Sequence, residues 1–311
     1  MSQVTDTVLM IEPVHFHYNA QTAANNFYQK ESRGLDPEDQ QIQALAAFQD
    51  LVELLQRTGV RPFVVRDTKF PETPDSIFPN NWVSFHEDGR VVFYPMFAPN
   101  RRLERRRDIL GLLEADGFEI TELIDYSERE EMGCFLEGTG SMVLDRSNRI
   151  AYGLCSARTD KNLFEAFCAD FNYRPIAFHA VHRFNGKPKE IYHTNVMMTV
   201  ADSYAIVALD AVVDKGERQE VTQALQYSGK EIIAITSGQV AAFAGNALQL
   251  KNSAGHPFLL MSTQAYQSLK PVQIKNIARF NPIRHTDISI IEQNGGGGVR
   301  CMMAEVFLPR V

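Results

Sequence analysis

Cysteine is scarce in this sequence: 311 residues hold four, Cys134, Cys155, Cys168 and Cys301, and no two form a CxxC pair. That spacing argues against a zinc cage and against a disulfide framework, and it suits a reducing compartment with free thiols. No stretch approaches the roughly 20 consecutive apolar residues of a membrane span. The opening "MSQVTDTVLMIEPVHF" has no basic region ahead of its short apolar run, so no secretory signal is read there and a cytoplasmic location is expected. Positive charge is in deficit. A formal net charge of −7 works against general affinity for nucleic acid or anionic membrane. The expected partner is a small-molecule substrate, with room for a homo-oligomer. Metal and cofactor signals are also missing. His15 and His17 share a strand face without a third ligand nearby, and the glycines at 295–298 lack the Lys-Ser or Lys-Thr of a phosphate loop. No metal and no cofactor are expected.

With 44% hydrophobic and 22% charged residues, the chain can bury a substantial core. No low-complexity linker divides it, so residues 1–311 are read as one domain. Helical patterns recur over Asp36 to Gly59, Asn100 to Gly117, Asp160 to about Asn172, Asp214 to Gly229, and roughly Thr263 to Asn281. The first is the plainest: Asp36 caps, Pro37 suits the first position, and Ile42, Leu45, Phe48, Val52 and Leu55 step by three or four.

Strand-like segments follow four of these helices, "RPFVV", "FEITEL", "YRPIAF" and "KEIIAI". A loop comes next, then a small or polar residue that opens a strand hairpin. The opening residues Asn81, Glu137, His193, Asn246 and Cys301 recur every 53 to 56 positions. Hairpins such as "NNWVSF…VVFY" and "NALQL…FLLM" follow in phase, but the fifth unit lacks its second strand. The N-terminal strand Val8 to Ile11 is predicted to complete it and to close five β-β-α-β units into a ring without free edges. Such a ring gathers the five opening residues at its centre.

A cysteine nucleophile needs thiolate character, an acid/base group and a carboxylate or dipole that organises the substrate. Cys301, His193 and Glu137 supply these types at matched positions of the repeat. Packing alone does not account for that coincidence.

The set "DSIFPNN" (Asp75 to Asn81), "FLEGTG" (Phe135 to Gly140), "SART" (Ser156 to Thr159), "HTN" (His193 to Asn195) and "GGGGVRC" (Gly295 to Cys301) resembles the guanidine-modifying enzymes. These are the arginine deiminases, dimethylarginine hydrolases and amidinotransferases. The N-terminal "EPVHFHYNAQTAANNFYQ" resembles the opening of their citrulline-utilisation hydrolase branch. The resemblance implies an α/β fold, the five-bladed propeller of ββαβ repeats called a pentein, with pseudo-fivefold symmetry. It also implies roles. Cys301 would be the nucleophile, His193 the general acid/base and Glu137 a carboxylate gripping the substrate nitrogens. Arg158 would pair with the substrate carboxylate, and Asp75 would touch its amino-acid end.

Two departures from the family pattern bear on the substrate. Arginine deiminases usually carry carboxylates at the positions of Asn81 and Asn195, where they embrace a guanidinium cation. An amide offers one acceptor and one donor group, which suits a neutral ureido group. Citrulline is therefore the expected substrate, cleaved to ornithine, ammonia and carbon dioxide through a covalent cysteine intermediate, with arginine as the close alternative. A ring serving only as a binding scaffold competes with this reading and predicts an ordinary Cys301.

The remaining signals receive milder readings. The glycine run is expected to be a mobile flap over the thiol. "NRRLERRRD" is expected to open a helix with a solvated arginine face. Trp82 either lines the pocket or packs, and Ser141, where relatives often have an acid, is given no role.

Overall fold

The computed structural model describes residues 2–32, 34–184 and 187–311. Strand β1 (Thr7–Glu12) is followed by a long helix, Pro37–Thr58, and by β2 (Arg61–Arg66). The helix starts as its sequence dictates, with the Asp36 side chain accepting the Asp39 N–H, and it stops at Gly59 in the left-handed region. Its buried stripe is Ala44, Ala47, Phe48, Leu51 and Leu55, so the predicted face is rotated and Ile42 is 59% exposed. The reason lies at the helix start. Gln40 turns inward to accept the Tyr18 N–H and to donate to the Leu35 carbonyl, and the two alanines then face the sheet.

Four hairpin-plus-helix units follow. The first holds β3 (Val83–Phe85), β4 (Arg90–Phe93) and β5 (Glu122–Asp125), and the second β6 (Met142–Asp145), β7 (Ile150–Leu154) and β8 (Arg174–Phe178). A short ribbon, β9 (Val181–Phe184) with β10 (Lys187–Glu190), precedes the third, which holds β11 (Met198–Val200), β12 (Tyr204–Val207) and β13 (Glu231–Ala234). The fourth holds β14 (Leu248–Lys251), β15 (Pro257–Ser262) and β16 (Ile283–Thr286), and β17 (Ala304–Glu305) comes last. In each unit the hairpin is antiparallel, and the strand after the helix returns parallel to the hairpin's second strand.

The fifth sheet has the same pattern with its parts taken from both ends of the sequence. Val8 and Leu9 of β1 pair antiparallel with Glu305 and Ala304, while β1 runs parallel to β2 in the register Thr7 to Arg61. Among the described residues this gives five three-stranded sheets of one design.

Three predicted elements differ. The segment Asn100 to Gly117 divides into a 3-10 turn, Pro99–Glu104, and a helix, Asp108–Ala115. Thr263 to Asn281 divides at Pro271 into Thr263–Ser268 and Pro271–Ala278, because proline has no N–H to continue the ladder. The strand read from "FEITEL" falls later, at β5. No described helix is long and apolar enough to cross a membrane.

Candidate active site

Each opening residue of the repeat lies in or beside the short segment that leads into the first strand of its sheet. Asn81 ends the 3-10 turn Pro79–Asn81, Glu137 and His193 stand at the starts of Gly138–Ser141 and Thr194–Met197, Asn246 leads into β14, and Cys301 lies in Val299–Met302. These turns pack on one another. Close approach is possible because Gly138 adopts φ +45° with no Cβ to strike the Asn80 carbonyl.

The Cys301 thiol is buried between two amides. Asn246 Nδ2 donates to Sγ at 3.2 Å and Asn195 Nδ2 at 3.5 Å. Asn246 cannot turn over, since its Oδ1 accepts the Arg300 N–H at 3.1 Å and its Nδ2 also donates to the Asn195 carbonyl at 2.9 Å. Burial pushes the thiol up, against the pull of Asn246, Arg300 and Asn195. The resting group is a thiol with amide donors ready to receive a thiolate.

The glycine run, expected to form a flap, is packed into the site. Gly295 to Gly298 are all buried. Any side chain at Gly295 or Gly297 would meet the Phe78 ring, and one at Gly298 would meet Asn246. Glycine serves here to seat the backbone beneath the thiol.

His193 and Glu137 meet directly, with Nε2 2.8 Å from Oε2, and both are buried. Burial alone would raise the Glu137 carboxyl, but Arg158, His193 and Arg101 hold it well below the usual carboxylate range. A carboxylate only accepts, so Nε2 carries the imidazole proton and Nδ1 is left as a base. Burial pushes the ring down to about 4, against the upward pull of Glu137. Phe97 N–H binds the other carboxylate oxygen at 3.0 Å. Ser141, given no role above, ties the pair to its surroundings: its hydroxyl accepts the Glu137 N–H and donates to the Arg158 carbonyl, both at 2.8 Å.

Arg158, expected to pair with the substrate carboxylate, is buried and lines the site. Its guanidinium stands 3.3 Å from Glu137 Oε2, donates to the Thr22 carbonyl and Asn25 Oδ1, and lies over the Tyr192 ring at 4.6 Å. Asp75 accepts from Asn19 Nδ2 at 2.8 Å and Thr22 Oγ1 at 2.9 Å, and its Oδ1 is a buried acceptor without a partner.

The residue missed from the sequence is Arg101, which the arginine-rich stretch was expected to display to solvent. It is 2% exposed and forms the hub of the site. Nη1 donates to Asn81 Oδ1 at 2.8 Å, Nε and Nη2 each reach Glu104 at 2.9 Å, and Asp75 and Glu137 stand 3.9 Å away. The 3-10 turn explains the difference. It turns residues 101 and 104 inward together, whereas Arg102 and Arg105 pair with Glu130, Arg106 with Asp108 and Arg107 with Asp125. An arginine and a glutamate three residues apart behind Pro99 were the available signal. Trp82 packs edge-on against Phe93 instead of lining the site. His15 bonds the Lys69 carbonyl and His17 the Glu72 carboxylate.

Cys301, His193, Arg158, Arg101, Asn81 and Asp75 line one small cavity. Glu137 and Asn195 stand immediately behind it, on His193 and on the thiol. Part of its cover, Thr22 and Asn26, comes from the segment after β1, where Asn26 donates to the Gly295 and Gly296 carbonyls. Both residues fall within the N-terminal stretch "EPVHFHYNAQTAANNFYQ", which carried the family resemblance without pointing to a place in the site. The assembled groups can present a nucleophilic sulfur, a neutral imidazole base and paired guanidiniums to one small molecule.

Comparison with known proteins bears on the family and on the fold. A family described as N,N dimethylarginine dimethylhydrolase, eukaryotic, matches residues 12–308. Among curated proteins none matches the sequence. The crystal structure of apo ArgZ, an arginine dihydrolase from the ornithine–ammonia cycle in cyanobacteria, superposes with a TM-score of 0.74 at 16% identity, covering 98% of this chain and 41% of that one. The N-terminal domain of ArgZ, in a cysteine-to-serine variant bound to substrate, gives 0.72 at 16% identity over 96% of this chain and 97% of that one. A dimethylarginine dimethylaminohydrolase with glycine in place of a histidine, an adduct with S-methyl-L-thiocitrulline, gives 0.62 at 15% identity over 97% and 100%. At these identities the likeness to the solved structures is one of fold. The chain spans about two fifths of full-length ArgZ and nearly all of its N-terminal domain.

Proposed function

The chain belongs to the eukaryotic N,N-dimethylarginine dimethylhydrolase family, and from that premise we propose that it is a thiol hydrolase of the citrulline ureido group. The products are ornithine, ammonia and carbon dioxide. One observation carries the choice of substrate: Asn81 gives its oxygen to Arg101, which leaves Nδ2 as a buried donor without a partner beside the cavity. Arginine side chains only donate, so the amide atom facing Arg101 is the oxygen. An unpaired donor wants an acceptor, and a ureido oxygen is one. A guanidinium offers none.

Asp75 Oδ1 remains as an acceptor for substrate N–H groups.

In this mechanism His193 Nδ1 takes the Cys301 thiol proton as the sulfur attacks the ureido carbon, and passes that proton to the leaving ornithine amine as the carbon–nitrogen bond breaks. His193 then takes a proton from water, which adds to the thiocarbamate carbon and releases the sulfur. The carbamate formed decomposes to ammonia and carbon dioxide. Asn195 and Asn246 hold the sulfur anionic when it leaves. We read the five like sheets as blades of one closed propeller, a pentein, forming a single catalytic domain over residues 1–311. Contacts of β3 with β17, β6 with β11 and β11 with β14 support that reading.

The test is incubation with citrulline and, separately, with arginine, measuring ornithine and ammonia. Ornithine release from citrulline that disappears in Cys301→Ala is the expected result. Arginine consumed while citrulline stays intact would favour the arginine-type chemistry named for ArgZ and overturn the argument from Asn81.

A further inference from the structure

An asparagine amide exchanges its donor and acceptor by a half-turn about its last side-chain bond. What Asn81 offers a substrate therefore depends on whatever prevents that turn. The restraint is the Arg101 Nη1 bond to Oδ1 at 2.8 Å. Arg101 in turn is fixed by Glu104, which accepts from Nε and from Nη2 at 2.9 Å each, a two-point grip that sets the guanidinium plane. Both side chains are buried.

We propose that Glu104, acting through Arg101, is the positioning residue that keeps the Asn81 NH2 group toward the substrate, and so selects a neutral ureido head over a guanidinium one. The inference rests on the ureido reading above and deepens it. Glu104 does not line the cavity. Its influence passes through a guanidinium with other places to go: Asp75 Oδ2 and Glu137 Oε2 each stand 3.9 Å from it. Without the two-point grip of Glu104, Arg101 shifts toward those carboxylates and its bond to Asn81 weakens. The amide is then free to turn its oxygen to the cavity, where it accepts from a guanidinium N–H.

A double-mutant cycle tests this, using Glu104→Gln and Asn81→Ser, whose hydroxyl has no donor end and acceptor end to exchange. Two quantities are measured in each protein: kcat/KM for citrulline, and the inhibition constant of arginine as a competitor. Glu104→Gln in the wild-type background is expected to lower citrulline kcat/KM about tenfold and to tighten arginine inhibition severalfold. In the Asn81→Ser background it should move neither by more than about twofold. Equal effects in both backgrounds overturn the proposal, as does a Glu104→Gln protein that loses affinity for both compounds together, since a merely structural glutamate acts that way. Should Glu104→Gln fail to fold, Arg101→Lys gives the same readout, because a point-like ammonium lacks the planar fork that holds Glu104 and Asn81 at once. A wild-type protein inert toward citrulline removes the ureido reading itself, a result separate from additivity in the cycle.

Discussion

His193 is a buried base pushed down to about 4 while paired with a carboxylate held ionised, an arrangement with a measurable pH signature. The ring stays neutral until the solution is far more acidic than an ordinary histidine requires. The acid limb of kcat/KM is therefore expected near pH 4 rather than near 6.5. A profile between pH 3.5 and 8 that falls off at 6.5 would contradict the buried neutral imidazole. Stability has the same sign. The folded ring binds a proton less readily than the unfolded one, so its contribution is complete above the unfolded value of 6.5 and is lost as pH falls through about 4. The sequence disclosed which residue types are assigned to the proposed chemistry, because cysteine, histidine and glutamate fall at one phase of the repeat. It did not disclose Arg101, since a run of arginines reads as a solvated face unless the turn that buries one of them is known.

The short turns that carry the site leave little free volume. Gly140, in the turn after Glu137, illustrates this. A Cβ there would collide with Asn81 Nδ2 and stand 2.8 Å from the His193 ring. Gly140→Ala is expected to lower kcat on citrulline by about a hundredfold with the fold retained, because misplacing the base by a fraction of an ångström removes a large part of the orientation advantage. Kinetics alongside a thermal melt check this, and an alanine variant with normal kcat would refute the crowding. Regular elements were more legible than such turns. Asp36, Asp160 and Asp214 each cap the helix predicted from them. Caps and apolar spacing are local signals. The departures arose where distant residues decide, as when Gln40 turns inward and rotates the first helix.

At the scale of the molecule, β1 and β17 join residues from opposite ends of the sequence in one sheet. Ser2 bonds Glu87 while the Val311 N–H bonds the Gly117 carbonyl, both on the unit that holds β3 to β5. Connection order can therefore be changed while the pairing is kept. A circular permutant that links residues 2 and 311 by a short flexible segment and opens in the exposed turn at 253–255 is expected to fold with citrulline turnover within about threefold of the parent. Loss of folding in that permutant, measured by circular dichroism, would mean that the order of synthesis matters as well as the pairing. The repeat phase made the five units legible from sequence, and the short fifth unit made its missing strand legible too. The ribbon of β9 and β10 left no trace in the repeat phase.

Growth of the chain on the ribosome gives the β1 and β17 pairing one more meaning. The strand nearest the start emerges early and waits with one side unmatched until residues 304 and 305 appear, and Cys301 reaches Asn195 and Asn246 only at that stage. Translation thus yields no working centre piecemeal. A chain that stopped short of Cys301 would keep most of the scaffold and lack the proposed nucleophile.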